Sequence, residues 1–204
     1  MLRIHTLTLG DYQTNTYIVH NSDSRECVII DPGYEADVIL SKLHALELKP
    51  AAILLTHGHF DHVGAVEQIV EATGCGLWMH QTDWAQPNAP ILNYLYPLAN
   101  CDFTEVNFCD DGHILHTAGL TFQVLATPGH TGGSVCYRCG DALFSGDTLF
   151  AGGCGRTDLP GGNWDTMVKS LGRLAALADP LRVFPGHGES TTLAQEKKYN
   201  PYLK

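Results

Sequence analysis

Short apolar runs punctuated by Gly, Pro, Asn or Asp recur along the chain: "RIHTLTL", "TNTYIVH", "CVIIDPG", "AAILLTH", "GLWMHQ", "GHILHTAGLTFQVLATPG", "SVCYRC", "ALFSGD" and "LRVFPGHG". They are rich in Ile, Val, Leu, Tyr and Phe, the composition of strands. Helical patterns occupy "EADVILSKLHALEL", "HVGAVEQIVEATG", "WDTMVKSLGRLAALA" and "TTLAQEKKYN". In the first, Val38, Leu40, Leu43 and Leu46 roughly share one apolar face. Early hairpins followed by strand–helix alternation predict an α/β layered fold. Residues 84–104 break the pattern. Their Pro, Asn and aromatic content predicts a loop or short helix over a surface, with Trp84, Tyr94 and Tyr96 either lining a cleft or packing a lid.

The 204 residues suffice for one domain with a sizeable core. A hydrophobic fraction of 44% with 17% charged residues is that of a soluble globular protein. The formal net charge of −10 argues against nucleic acid as a partner, which needs a basic surface. It leaves room for a small anionic substrate held by a local cation. The N-terminus reads as two strands and not as a signal peptide, and no window is apolar enough to span a bilayer. Seven cysteines, an odd number without an export signal, point to reduced thiols in a cytoplasm. Cys136 and Cys139 form a C-x-x-C. Its setting reads as a hairpin turning at Gly140-Asp141, so the two are expected to be neighbouring strand residues and not a redox pair.

The densest chemistry lies in "LLTHGHFDHVGA", where His57, His59, Asp61 and His62 follow an apolar strand and precede a helix. Imidazole and carboxylate are zinc-type ligands. In an extended chain His57 and His59 point to one side, and Asp61 and His62 at the turn could face a second ion. Three later stretches repeat the grammar of apolar strand, sharp turn and ligand-type residue. "FQVLATPGHTGGS" delivers His130, "ALFSGDTLF" delivers Asp147 and "RVFPGHGES" delivers His187. Five histidines and two aspartates make two coordination spheres if one carboxylate bridges. His5, His20, His44, His113 and His116 have no paired ligand and read as structural or solvent-facing. His80 ends a strand and is not expected to ligate. Arg156 and Asp158 of "GRTD" allow two readings: a cation for a substrate carboxylate, or an ion pair that pins a loop.

In this order, "THGHFDH", "TPGHTGGS", "SGDTLF" and "FPGHG" resemble the metallo-β-lactamase superfamily over nearly the whole chain. The resemblance implies an αββα sandwich with a dinuclear site between sheet edges. By position, His57, His59 and His130 would hold one metal, Asp61, His62 and His187 the other, and Asp147 would bridge them. Catalysis would depend on Asp61 and Asp147, and Asp31 of "IIDPG" would orient a ligand. "GGCGRTDLPGG" further resembles the glyoxalase II group, here as a single domain over residues 1–204 without the C-terminal glutathione-binding domain. The implied enzyme is a hydrolase of thioesters such as S-2-hydroxyacylglutathione. It would act through a metal-bridging hydroxide with two divalent ions, zinc first, iron or manganese next. The alternative implied by the shared "GRTD" is an iron-dependent persulfide dioxygenase, with iron on His57, His130 and Asp147.

Overall fold

Six strands follow one another in chain order across the first sheet: β1 (Leu2–Leu9), β2 (Thr14–Asn21), β3 (Glu26–Ile30), β4 (Lys49–Leu54), β5 (Gly76–Met79) and β6 (Val106–Phe108). The first three are antiparallel and β3 to β6 are parallel. The structure is a computed structural model that describes residues 1–84, 95, 97–100, 106–178 and 180–203. A second sheet holds β7 (Ile114–Thr117), β8 (Leu120–Ala126), β9 (Val135–Cys139), β10 (Ala142–Gly146), β13 (Arg182–Pro185) and β14 (Thr191–Thr192), in the order β14-β13-β10-β9-β8-β7. Between them in the chain lies a small ribbon of β11 (Leu149–Phe150) and β12 (Gly153–Cys154). The helices are α1 (Ala36–Ala45), α2 (Phe60–Val63), α3 (Val66–Thr73), α4 (Gln81–Trp84), α5 (Trp164–Ala175) and α6 (Leu193–Tyr199).

Side-chain alternation along each strand builds three apolar layers. Cys27 and Ile29 of β3 pack with Ile39 and Leu43 of α1, whereas Val28 and Ile30 face the other sheet. In the second sheet, Phe144 joins the layer between the sheets and Leu143 packs with Met167 and Leu171 of α5. Strands covered on both faces read as unbroken apolar runs, which is how they appear in the sequence. The order helix, sheet, sheet, helix is the expected αββα sandwich. Phe122 and Phe144 are fully buried between the sheets. Truncating either to Ala would cost about 3–5 kcal/mol.

Two expectations are corrected. Val38 is exposed, and the buried face of α1 is Ala36, Ile39 and Leu43. The helix expected over 62–74 is two helices, α2 and α3, parted at Gly64-Ala65. Gly64 at the break packs against the Gly33 carbonyl, which a Cβ there would run into, so no larger residue fits. Of the residues left between cleft and lid, Trp84 is half-buried against the first-sheet core. Tyr94 and Tyr96, and most of the expected lid, lie outside the described residues. Cys136 and Cys139 belong to different apolar layers, opposite faces of β9, as their spacing of three requires. The six described cysteines are free.

Candidate metal centre

Five of the seven ligand-type residues singled out in the sequence lie just past the carboxyl end of a strand on one edge of the sandwich. His57 and His59 follow β4, His130 follows β8, Asp147 follows β10 and His187 follows β13. That edge is where open α/β sheets place their sites. Asp61 and His62 sit, buried, on the short helix α2 that follows the His57–His59 turn. Cross-sheet bonds fix the frame. The Tyr17 hydroxyl donates to the Pro185 carbonyl (2.6 Å), and Asn15 Nδ2 donates to the Pro185 and Gly188 carbonyls (3.1 and 2.9 Å).

The side chains converge as two triads, His57, His59 and His130, and Asp61, His62 and His187, with Asp31 also grouped with His57 and His62 between them. In the first, His59 Nδ1 and His130 Nε2 stand 2.9 Å apart. In the second, His62 Nε2 lies 3.3 Å from His187 Nε2 and 3.7 Å from Asp61 Oδ2, and His187 Nε2 lies 3.3 Å from that oxygen. Asp147 reaches both: Oδ2 is 3.5 Å from His130 Nε2 and 3.5 Å from His187 Nε2, and Oδ1 is 3.4 Å from His62 Nε2. A tetrahedral ion with bonds of about 2.0–2.1 Å has ligand–ligand edges of roughly 3.3–3.4 Å. These separations match a site built to hold metal. His57 Nε2 and Asp147 Oδ1 are buried without a hydrogen bond, which is costly unless an ion takes them.

The opposite ring nitrogens are held by the protein. His130 Nδ1 donates to the Arg156 carbonyl (2.7 Å) and His187 Nδ1 to the Tyr12 carbonyl (3.0 Å). His62 Nδ1 donates to Asp31 Oδ2 (3.0 Å). Thr56 donates its hydroxyl to the same oxygen (2.6 Å), so His57 Nδ1 donates to the Thr56 oxygen (3.0 Å). Asp31 thus bonds His62 directly and His57 through the Thr56 hydroxyl, one imidazole of each triad. Such bonds select the tautomer whose free lone pair points inward. Asp31 also accepts from the Thr56 amide (2.7 Å), and its backbone takes the left-handed conformation (φ 49°) that Asp tolerates better than most residues.

Charge divides the two triads. Burial, then the neighbouring His130 and His62, pulls His59 down to about 3, and burial with surrounding imidazoles holds His57 well below its usual range. Burial also pulls on His62, but the Asp147 and Asp31 carboxylates outweigh it and raise that imidazole well above the usual value. His187 is raised by Asp61 and Asp147 against the same burial. Burial pushes the Asp147 carboxyl up, yet His62, His130 and His187 hold it far below the usual carboxylate range.

A cleft of about 450 Å³ opens onto both triads. Its apolar wall comes from Tyr12, Phe60, Leu95, Phe150 and Leu159, with Arg156 at the edge. Arg156 is in a bidentate pair with Asp158 (2.7 and 2.7 Å), which is the loop-pinning alternative. His80 pairs with Asp110 (3.1 Å), and His5 stacks on His20. Two buried acids escaped the sequence reading. Asp83 bonds to the turns that carry the first triad. Glu196 on α6 accepts from the Gly152 amide and from Asn200, behind the β11–β12 ribbon that lines the cleft. Neither stands in a ligand-like motif, and each has partners remote in sequence: the Gly58, Gly133 and Thr131 groups for Asp83 and the Gly152 amide for Glu196.

Two back-to-back sheets with His/Asp turns gathered on one edge define the metallo-hydrolase class. Residues 9–187 match the metallo-beta-lactamase superfamily, and the chain belongs to it. It is 34% identical to hydroxyacylglutathione hydrolase GloC of Haemophilus influenzae, over 99% of this chain and 98% of that protein. Among solved structures it resembles BLEG-1, a B3 metallo-beta-lactamase (35% identity, TM-score 0.85, 100% of both chains). It also resembles TTHA1623 in a di-iron-bound form (40% identity, TM-score 0.83, 98% of this chain and 100% of the other). Among the described residues, no helix is long and apolar enough to cross a membrane.

Proposed function

We propose that the chain is a dinuclear, metal-dependent thioester hydrolase of the glyoxalase II-like kind. His57, His59 and His130 would hold one ion, Asp61, His62 and His187 the other, and Asp147 both. The observation that carries the reading is the pair of triads whose inward atoms stand at coordination-edge distances around a carboxylate shared by both. Imidazole-rich sets favour zinc. The likeness to TTHA1623 in its di-iron-bound form keeps iron a candidate. Bound ions would supply Lewis acidity, bringing the pKa of water toward about 7 and polarising a carbonyl oxygen.

The chain's own residues supply the rest. The outer hydrogen bonds of His57, His62, His130 and His187 keep their lone pairs inward. Asp147 stays ionised between them. Tyr12, Phe60, Leu95 and Phe150 form a wall that excludes water and takes an acyl group. A thiolate leaves without a general acid, since a thiol pKa is only about 8.5. The similarity to GloC supports S-2-hydroxyacylglutathione as the substrate class. The net charge of −10 fits a partner other than nucleic acid, and the free described thiols fit the cytoplasm.

Elemental analysis of the purified protein is expected to find about two transition-metal ions per chain, as a two-ion site requires. Failure to rise above one under metal-replete conditions would sink the dinuclear reading. A second reading, an iron persulfide dioxygenase, is favoured by one observation: His57 groups with His130, and His130 Nε2 lies 3.5 Å from Asp147 Oδ2, which supplies two histidines and a carboxylate. Zinc- and iron-loaded protein given S-lactoylglutathione and glutathione persulfide separates the two. Thiol release from the thioester by the zinc form, without oxygen uptake, is expected. Oxygen uptake with persulfide by the iron form, and no thioester cleavage by either, would replace hydrolysis with oxygenation.

A further inference from the structure

Asp83, on α4 just past the end of β5, is 1% exposed. Its carboxylate accepts three hydrogen bonds. The Gly58 amide donates to Oδ2 (2.9 Å), the Thr131 hydroxyl to Oδ2 (2.7 Å) and the Gly133 amide to Oδ1 (2.7 Å). Gly58 lies between His57 and His59, and Thr131 follows His130. One carboxylate therefore ties together the two turns, one from each sheet, that carry the first triad.

We infer that Asp83 is a positioning residue that presets the His57–His59–His130 triad and leaves the second triad untouched. The inference rests on the two-site reading above. The second set has its own supports. His62 is held by Asp31, and His187 by the Tyr12 carbonyl, with Asn15 and Tyr17 on its turn. None of the described bonds of Asp83 reaches that set. Burying a carboxylate is expensive, and three donors are what such a position needs to be tolerated. The surroundings are shaped around it. A Cβ on Gly133 would stand 2.5 Å from Asp83 Oδ1 and 2.7 Å from Cγ, so glycine is what lets the amide approach. A side chain serving only the core would be apolar here and need no such accommodation.

Asparagine at this position keeps one acceptor oxygen and turns the other into an NH2 group facing donors. Supports of this kind change metal affinity by about 10–100-fold. The test uses two backgrounds: His187→Ala, which leaves the first triad whole, and His59→Ala, which leaves the second. Zinc affinity is read by competition with a chromophoric chelator, and folding by circular dichroism. Asp83→Asn should weaken the ion in the His187→Ala background by about tenfold or more, and in the His59→Ala background by less than about twofold. Equal weakening in both, or none in either, would overturn the inference and leave Asp83 a structural stitch. If Asp83→Asn does not fold, Thr131→Val and Thr131→Ser carry the same test. Val should weaken the first ion, Ser should restore it, and equal affinity of the two overturns the proposal. Backgrounds that fail to bind one ion each contradict the two-site reading itself, a different result from either outcome for Asp83.

Discussion

Asp147→Asn should lower turnover by about a hundredfold or more, the scale on which a positioned catalytic group acts, and should bring the metal content below two ions per chain. The side chain sits where both triads meet, within 3.5 Å of His130 Nε2 and His187 Nε2. Three imidazoles keep its carboxyl ionised against the cost of burial. Asparagine keeps the shape, removes the negative charge and aims two N–H bonds at nitrogens or cations. His80→Ala is the control. His80 directly follows β5 in the first sheet but pairs with Asp110 outside both triads, so that variant should keep both ions and its activity. Equal metal loss in the two variants, measured by elemental analysis, would mean that the ligands have been misassigned.

The site was legible because each ligand-type residue is a local feature. A short turn after an apolar strand throws one side chain past the sheet edge, and both strand and turn can be read from a few neighbours. His57, His59, His130, Asp147 and His187 all obey this rule, and Asp31 does too, directly after β3. What stayed hidden depends on contacts across the fold. Asp83 meets Gly133 from 50 residues away, and Asn15 meets Gly188 from 173 away. No periodicity encodes such pairs. The break between α2 and α3 was also not legible, since the apolar spacing runs on through Gly64 and the Gly33 carbonyl that leaves no room for a side chain there is remote in sequence. The slip along α1 has another origin. Val38 and Ile39 are equally apolar, and the decision for Ile39 and Leu43 is made by where the first sheet lies.

Lowering the pH should remove the two ions in a fixed order, the Asp61–His62–His187 ion first. Binding needs neutral imidazoles, so protons compete wherever the metal-free site holds them. His62 and His187 are raised by Asp147, Asp61 and Asp31, so in the metal-free protein they still carry protons above pH 6.5. Below those raised values each must release one proton per ion bound. The apparent affinity then falls by about tenfold per pH unit for each proton, roughly a hundredfold for both. His59 has been brought down to about 3 and His57 well below its usual range, so those two nitrogens demand no proton release near neutrality. Acid should therefore spare the first triad over the window in which the second empties. Zinc content after dialysis at a series of falling pH values should step from about two to one as the raised His62 and His187 imidazoles take up protons, with the last ion leaving at lower pH. His187→Ala should abolish the upper step and retain the lower one. Loss of both ions in a single step, or an upper step that survives in His187→Ala, would show that the carboxylates do not divide the triads in this way.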